Sequence, residues 1–80
     1  MRVDIKMPQW GMTLMEGTIT KWFKKPGDAV EKGEALCEVE QAKVTDVVES
    51  SAKGTLAEIC AEEGATVPVL TVICTIEESA

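Results

Sequence analysis

The residue of this chain whose type and surroundings best suit covalent chemistry is Lys43. It lies in the stretch Leu36-Cys37-Glu38-Val39-Glu40-Gln41-Ala42-Lys43-Val44-Thr45-Asp46-Val47-Val48-Glu49, with no other lysine or arginine between Lys32 and Lys53. Glu38, Glu40, Asp46 and Glu49 surround it in sequence. A primary amine held out on a tight turn is easily found by another protein, and once deprotonated it attacks an activated acyl donor. The plain alternative is a solvated surface lysine, because lysine is exposed in nearly every protein and exposure alone assigns no function.

The other nucleophiles are three cysteines, Cys37, Cys60 and Cys74. No C-x-x-C pair and no histidine is present, so no metal site is expected. An odd number of widely spaced cysteines reads as free thiols in a reducing compartment, buried as small hydrophobes. Cys37 and Cys74 lie in apolar runs with nothing basic nearby to stabilise a thiolate, which makes them structural core residues rather than reactive ones. No residue is assigned a catalytic role.

The elements that must position Lys43 are strands. Val39 on one side and Val44, Val47 and Val48 on the other favour extended chain, and the polar interruption Gln41-Ala42-Lys43 fits a reversal, so a hairpin with Lys43 at or beside its tip is expected. Upstream, Val3, Ile5 and Met7 alternate with Asp4 and Lys6 as a half-buried strand closed by Pro8. The loop from Pro8 to Glu16 carries more apolar residues than solubility needs, and it is expected to fold back over the core, Trp10 and Met12 included, rather than offer a contact patch. Strands follow from Gly17 to Phe23, Thr55 to Cys60 and Thr71 to Glu77, with Val67-Pro68-Val69 bridging. Turns fall at Pro26-Gly27-Asp28, Lys32-Gly33-Glu34, Ser50 to Gly54 and Glu62-Glu63-Gly64. Frequent turns without a helical period are an all-β signature.

An internal repeat sharpens this. Glu16 to Glu40 realigns without a gap on Lys53 to Glu77 at an offset of 37 residues, placing Gly17 on Gly54, Gly27 on Gly64, Val30 on Val67, Cys37 on Cys74 and Glu40 on Glu77. Ile19 falls on Leu56, Trp22 on Ile59, Leu36 on Ile73 and Val39 on Ile76. The same offset carries Lys6 onto Lys43. Leu36 and Ile73 are apolar out of phase with their strands, and matching faults in both halves read as matched bulges. Two such incomplete halves would clasp into one pseudo-twofold β-sandwich or flattened barrel.

Composition limits the partners. Eighty residues make one domain, spanning 1–80, and a chain this short buries only about 60% of its unfolded surface. The net charge of −6 disfavours nucleic acid and anionic membrane. Residues 1–37 hold six basic and five acidic groups, whereas residues 38–80 hold two and nine, so a basic surface on a partner would be steered to the half bearing Lys43. No run approaches the roughly 18 apolar residues of a membrane span, and no signal-peptide core is seen, so a soluble chain is expected.

Met7-Pro8, Gly11, Met15-Glu16-Gly17-Thr18-Ile19, Trp22, Pro26-Gly27-Asp28, Val30, Gly33-Glu34, Glu38-Val39-Glu40, Lys43, Gly54, Gly64 and Val67 together resemble the lipoyl domains of 2-oxo acid dehydrogenase complexes. The resemblance runs from about Val3 to Glu77. It implies a flattened barrel or sandwich of two four-stranded antiparallel sheets related by a pseudo-twofold axis, with Lys43 on a type I turn at the edge opposite the termini. It implies (R)-lipoate in amide linkage on Lys43, and Glu40, Gln41, Ala42, Val44, Trp10 and Gly11 as turn and recognition residues. The loop from Gln9 to Met15 would lie beside the turn. Implied partners are a lipoate ligase or lipoyl transferase, a thiamin-dependent dehydrogenase component, an acyltransferase core and dihydrolipoyl dehydrogenase, between which a monomeric carrier, not itself an enzyme but possibly part of a dihydrolipoyllysine acyltransferase component, shuttles acyl groups and reducing equivalents. The substrate would be a 2-oxo acid or acetoin, and the compartment the cytoplasm of a bacterium or the mitochondrial matrix of a eukaryote.

Three positions depart from the family pattern. Ala42 replaces the usual Asp, a change a type I turn tolerates; Ser51 stands where Pro is common; and Leu70 replaces a glycine, so that turn is expected to take a form without positive φ. Biotinyl domains share the fold and the lysine but usually flank it with methionines, where Ala42 and Val44 stand here. A biotin carboxyl carrier is therefore the first alternative, and an unmodified β-module binding a partner through the 8–15 loop is the second.

Overall fold

β-Branched residues at alternating positions build eight strands in the computed structural model, which describes residues 1–78. They are β1 (Arg2–Lys6), β2 (Glu16–Trp22), β3 (Ala29–Val30), β4 (Ala35–Gln41), β5 (Val44–Glu49), β6 (Gly54–Ile59), β7 (Thr66–Pro68) and β8 (Val72–Glu78). Two four-stranded sheets form, in the orders β1-β8-β6-β3 and β5-β4-β2-β7, with every pair antiparallel. The result is a flattened sandwich, not a closed barrel, measuring 37 × 21 × 18 Å. The sequence signals no strand at β3, which is only two residues long. Residues 79 and 80 of the single domain expected over 1–80 lie outside the described residues.

The repeat is realised in three dimensions. Shifted by 37 residues, β2, β3 and β4 fall on β6, β7 and β8, and their partners in the sheets correspond. Ile19 and Leu56, Leu36 and Ile73, Cys37 and Cys74, and Val39 and Ile76 are fully buried together between the sheets. The bulges also match: register shifts between Ile19 and Lys21 and between Leu56 and Glu58, and again around Leu36 and Ile73. Each bulge lets an out-of-phase apolar side chain turn inward without breaking the ladder on either side.

The outer strands follow a different arithmetic. β1 pairs Ile5 with Cys74 and Lys6 with Val72, and β5 pairs Val48 with Cys37 and Glu49 with Ala35. The counterpart of Lys6 is therefore Glu49, not Lys43, and β1 maps on β5 at an offset of 43. The difference is taken up by connection length, since residues 7–15 join β1 to β2 whereas only residues 50–53 join β5 to β6. The extra chain forms the loop at the Lys43 end. The pseudo-twofold relates the β4–β5 hairpin to the meeting of the first and last strands, so hairpin and termini occupy opposite ends. At the terminal end the Met1 ammonium and Arg2 Nε contact Glu77 at 3.1 and 3.3 Å.

Two further expectations are corrected. Cys60 is exposed, because it follows β6 in a bend rather than facing the core. Met12 is 96% exposed, standing at the tip of a short turn, whereas Trp10 does pack against the core as expected.

Candidate functional site

Lys43 occupies the second position of a two-residue turn, since Gln41 pairs directly with Val44 across the β4–β5 hairpin. Ala42, the first position, has φ +52°, and Lys43 does not share the positive φ. A positive φ at the first position departs from the type I turn that the resemblance implies, in which both central residues have negative φ. Two-residue hairpin loops favour primed turns because their twist matches that of the flanking strands. An alanine accepts the left-handed region at a cost of roughly 1–2 kcal/mol, which the paired strands on both sides impose.

The Lys43 side chain is exposed and enters none of the ion pairs formed among the described residues. Glu40 and Asp46 are exposed on the flanking strands, and Glu38 is half-buried and accepts a hydrogen bond from Thr20 Oγ1 at 2.7 Å. The carboxylates thus surround the amine without closing on it. Two of the pKa shifts bear on the thiols of the interior: burial pushes Cys37 and Cys74 up to about 12, so neither offers a competing nucleophile.

Gln41 anchors the turn. It faces inward after Cys37 and Val39, is 1% exposed, and donates from Nε2 to the Pro8 carbonyl at 2.5 Å and to Met7 Sδ at 3.6 Å. Its Oε1 accepts the Trp10 N–H at 3.3 Å. One buried amide therefore ties the loop to the hairpin, as buried polar groups require partners. Expected among the turn and recognition residues, Gln41 is buried behind the turn and positions it from inside; its inward phase behind Val39 was the available signal. Gly17 permits this arrangement, since a Cβ there would stand 2.7 Å from Met7 Sδ and 3.1 Å from the Gln41 amide.

The loop shapes the rest of the rim. Gly11 is half-buried in a turn closed by Leu14 N–H to its carbonyl at 3.1 Å, and Gln9 Nε2 donates to the Leu14 carbonyl at 3.1 Å. Val44 is 46% exposed beside Lys43. A third segment, which the sequence did not associate with the site, joins here. Leu70 N–H bonds the Met7 carbonyl at 2.8 Å, Met7 N–H bonds Thr71 at 2.8 Å, and Val69 N–H bonds Met15 at 3.0 Å. Leu70 keeps the left-handed form of its counterpart Gly33, with φ +68° against +86°, contrary to the expectation of another turn form. These three hydrogen bonds hold the backbone there against the preference of a leucine.

What this end offers chemically is an accessible amine mounted on a hydrogen-bonded hairpin, with carboxylates on the flanking strands. The family model described as "Biotin-requiring enzyme" matches residues 3–76. A solved lipoyl domain of the 2-oxoglutarate dehydrogenase complex from Azotobacter vinelandii is 36% identical, with a TM-score of 0.80 over 98% of this chain and 99% of that one. The chain belongs to the lipoyl domain family. A lipoyl domain of this kind is also similar to longer proteins. The dihydrolipoyllysine-residue acetyltransferase component of the acetoin cleaving system of Bacillus subtilis is 40% identical over 99% of this chain. The lipoamide acyltransferase component of the branched-chain alpha-keto acid dehydrogenase complex of the same organism is 48% identical over 92%. The lipoyl domain spans about a fifth of the length of each, 20% and 18%.

Lipoate fits the residues present. Amide linkage needs only a lysine amine free of permanent partners with room beyond it, and Lys43 supplies both. No pocket for the group is required of this chain.

Proposed function

We propose that this domain is a carrier that holds (R)-lipoate in amide linkage on Lys43, as one module, residues 1–80, of a dihydrolipoyllysine acyltransferase component. The observation that carries the reading is the mounting of Lys43: exposed, unpaired among the described residues, and at the tip of a two-residue turn in a member of the lipoyl domain family. When bound, lipoate supplies a strained disulfide able to accept and pass on acyl groups and reducing equivalents.

The protein's own part is presentation. The paired strands β4 and β5 hold the Lys43 backbone, and Gln41 locks the turn to the 7–15 loop, so that rotation is left to the lysine side chain. Tethering of this kind makes each transfer effectively intramolecular, at roughly millimolar local concentration for a suitable link. For attachment, Lys43 Nζ must lose a proton, and none of the ion pairs or side-chain hydrogen bonds among the described residues reaches it, so the deprotonating group belongs to the attaching enzyme. That enzyme is a lipoate ligase or lipoyl transferase. The later partners are a thiamin-dependent dehydrogenase component, the acyltransferase core and dihydrolipoyl dehydrogenase. They meet a monomeric carrier in bacterial cytoplasm or a mitochondrial matrix, and the substrate is a 2-oxo acid or acetoin.

Intact-mass measurement after incubation with a lipoate ligase, ATP and lipoate tests this. One lipoyl group is expected on the native chain and none on Lys43→Arg, while biotin ligase with biotin adds nothing. Addition at Lys53, or biotinylation at Lys43, refutes the reading.

A further inference from the structure

Six large apolar side chains stand exposed among the described residues, and four of them, Met12, Met15, Val44 and Leu70, belong to the segments that meet at the Lys43 end. Single exposed hydrophobes are ordinary, but four of six at the end that carries one functional group are not. Leu70 is the least economical of the four. It is 64% exposed, so it adds little to the core, and it sits at φ +68° where its counterpart in the other half is a glycine. A strained backbone residue that returns nothing to packing directs attention to function.

Its location is fixed by hydrogen bonds. Leu70 bonds Met7, the adjacent Val69 bonds Met15, and Met7 Sδ accepts from Gln41, the residue that opens the turn carrying Lys43. Met15 is 71% exposed alongside. The rest of this rim is charged: Glu16, Glu40 and Asp46 are exposed, with Lys6 as the second cation. An occupant must therefore be apolar where it meets Leu70 and Met15 and basic where it meets the carboxylates.

We propose that Leu70 and Met15 form the apolar anchor on which the enzyme that acylates Lys43 seats this domain; the inference rests on the Lys43 reading above. Attachment joins Nζ of the neutral amine to the carbonyl carbon of an acyl-adenylate. The bond from that carbon to the phosphate oxygen breaks, AMP leaves with the electron pair, and a proton departs from Nζ. During this step the amine has only its own four methylenes of reach, so the enzyme surface lies flush on the rim and touches whatever protrudes beside the turn. Later partners meet a longer arm and have no such need.

Initial rates of lipoyl addition by a lipoate ligase with ATP and lipoate, measured against domain concentration, test the anchor. Leu70→Gly is expected to raise KM about tenfold while kcat changes by less than about twofold, since a buried leucine contact accounts for at least that factor. Its thermal midpoint does not fall, because glycine suits the left-handed backbone. Leu70→Met restores the rate, and Phe23→Ser, an exposed apolar residue on another face, leaves it unchanged. An unaltered kcat/KM in Leu70→Gly, with the native domain fully modified, overturns the anchor alone. A loss matched by Phe23→Ser, or accompanied by a lower midpoint, also overturns it. Failure of the native domain to be modified would instead remove the Lys43 reading.

Discussion

At the scale of single residues, the site depends on a side chain that no partner can touch. Gln41 is one of two buried polar side chains among the described residues, with Ser50, and its amide serves Pro8 and Trp10 together. Replacing it by leucine keeps the bulk but leaves a carbonyl and an N–H without partners, each costing about 1–3 kcal/mol where burial is complete. Trp10 is only part-buried, so water recovers some of that loss. Gln41→Leu is accordingly expected to lower the stability measured by urea unfolding by about 1–3 kcal/mol and to speed amide exchange at Trp10. A variant with native stability and native Trp10 protection would show that the loop is held by other contacts. Lys43 was legible at this scale because its isolation among carboxylates is a property of the sequence. The exposure of Met12 was not, since an apolar type in a loop says nothing about which way a turn will aim it.

At the scale of elements, the two halves share a pattern but not a tolerance. Gly17 and Gly54 are counterparts at the start of β2 and β6. A Cβ on Gly54 would lie 2.0 Å from the Glu77 carbonyl oxygen, and backbone cannot yield without opening the β6–β8 ladder. A Cβ on Gly17 meets Met7 Sδ at 2.7 Å, the end of a flexible side chain that can move. Gly54→Ala is therefore expected to cost more than about 3 kcal/mol and Gly17→Ala about 1–2, read from chemical denaturation of the two variants. Equal losses would mean that the halves relax alike. The bulges at this scale could be read from the sequence, because Leu36 and Ile73 break alternation at matched places and both prove buried. The offset of β1 against β5 could not, as it depends on how much chain the 7–15 loop consumes.

At the scale of the whole molecule, pH acts differently on the surface ion pairs and on the interior. Glu77 is held below the usual glutamate value by the Met1 ammonium and then Arg2, and Glu34 by Lys24. Lowered carboxyl pKa values stabilise the fold above the ordinary value of 4.5 and that contribution is lost as pH falls through the lowered values. The Glu77 pairs are exposed and the Lys24–Glu34 pair is half-buried at the surface, so the acid-side change is shallow. The alkaline side is steeper. Cys37 and Cys74 rise from 9.0 to about 12 on burial, so between those values the unfolded chain gives up thiol protons that the folded chain keeps, and stability falls as pH rises. Thermal midpoints measured from pH 9 to 12 should decline, and the Cys37→Val, Cys74→Val double variant should decline less. Parallel slopes for the two proteins would assign the loss to other groups.

The amino-acid sequence by itself determined the repeat, the strand pattern, the matched bulges and the place of Lys43 on a hairpin, because each follows from side-chain alternation and turn chemistry within a few residues. Tertiary structure alone decided the sign of φ at Ala42 and Leu70, the inward duty of Gln41 and the outward stance of Met12 and Met15. Gln41 and Leu70 depend on hydrogen bonds that join Gln41 to Pro8, 33 residues away, and Met7 and Met15 to the 69–71 segment, and no local pattern encodes a partner at that distance.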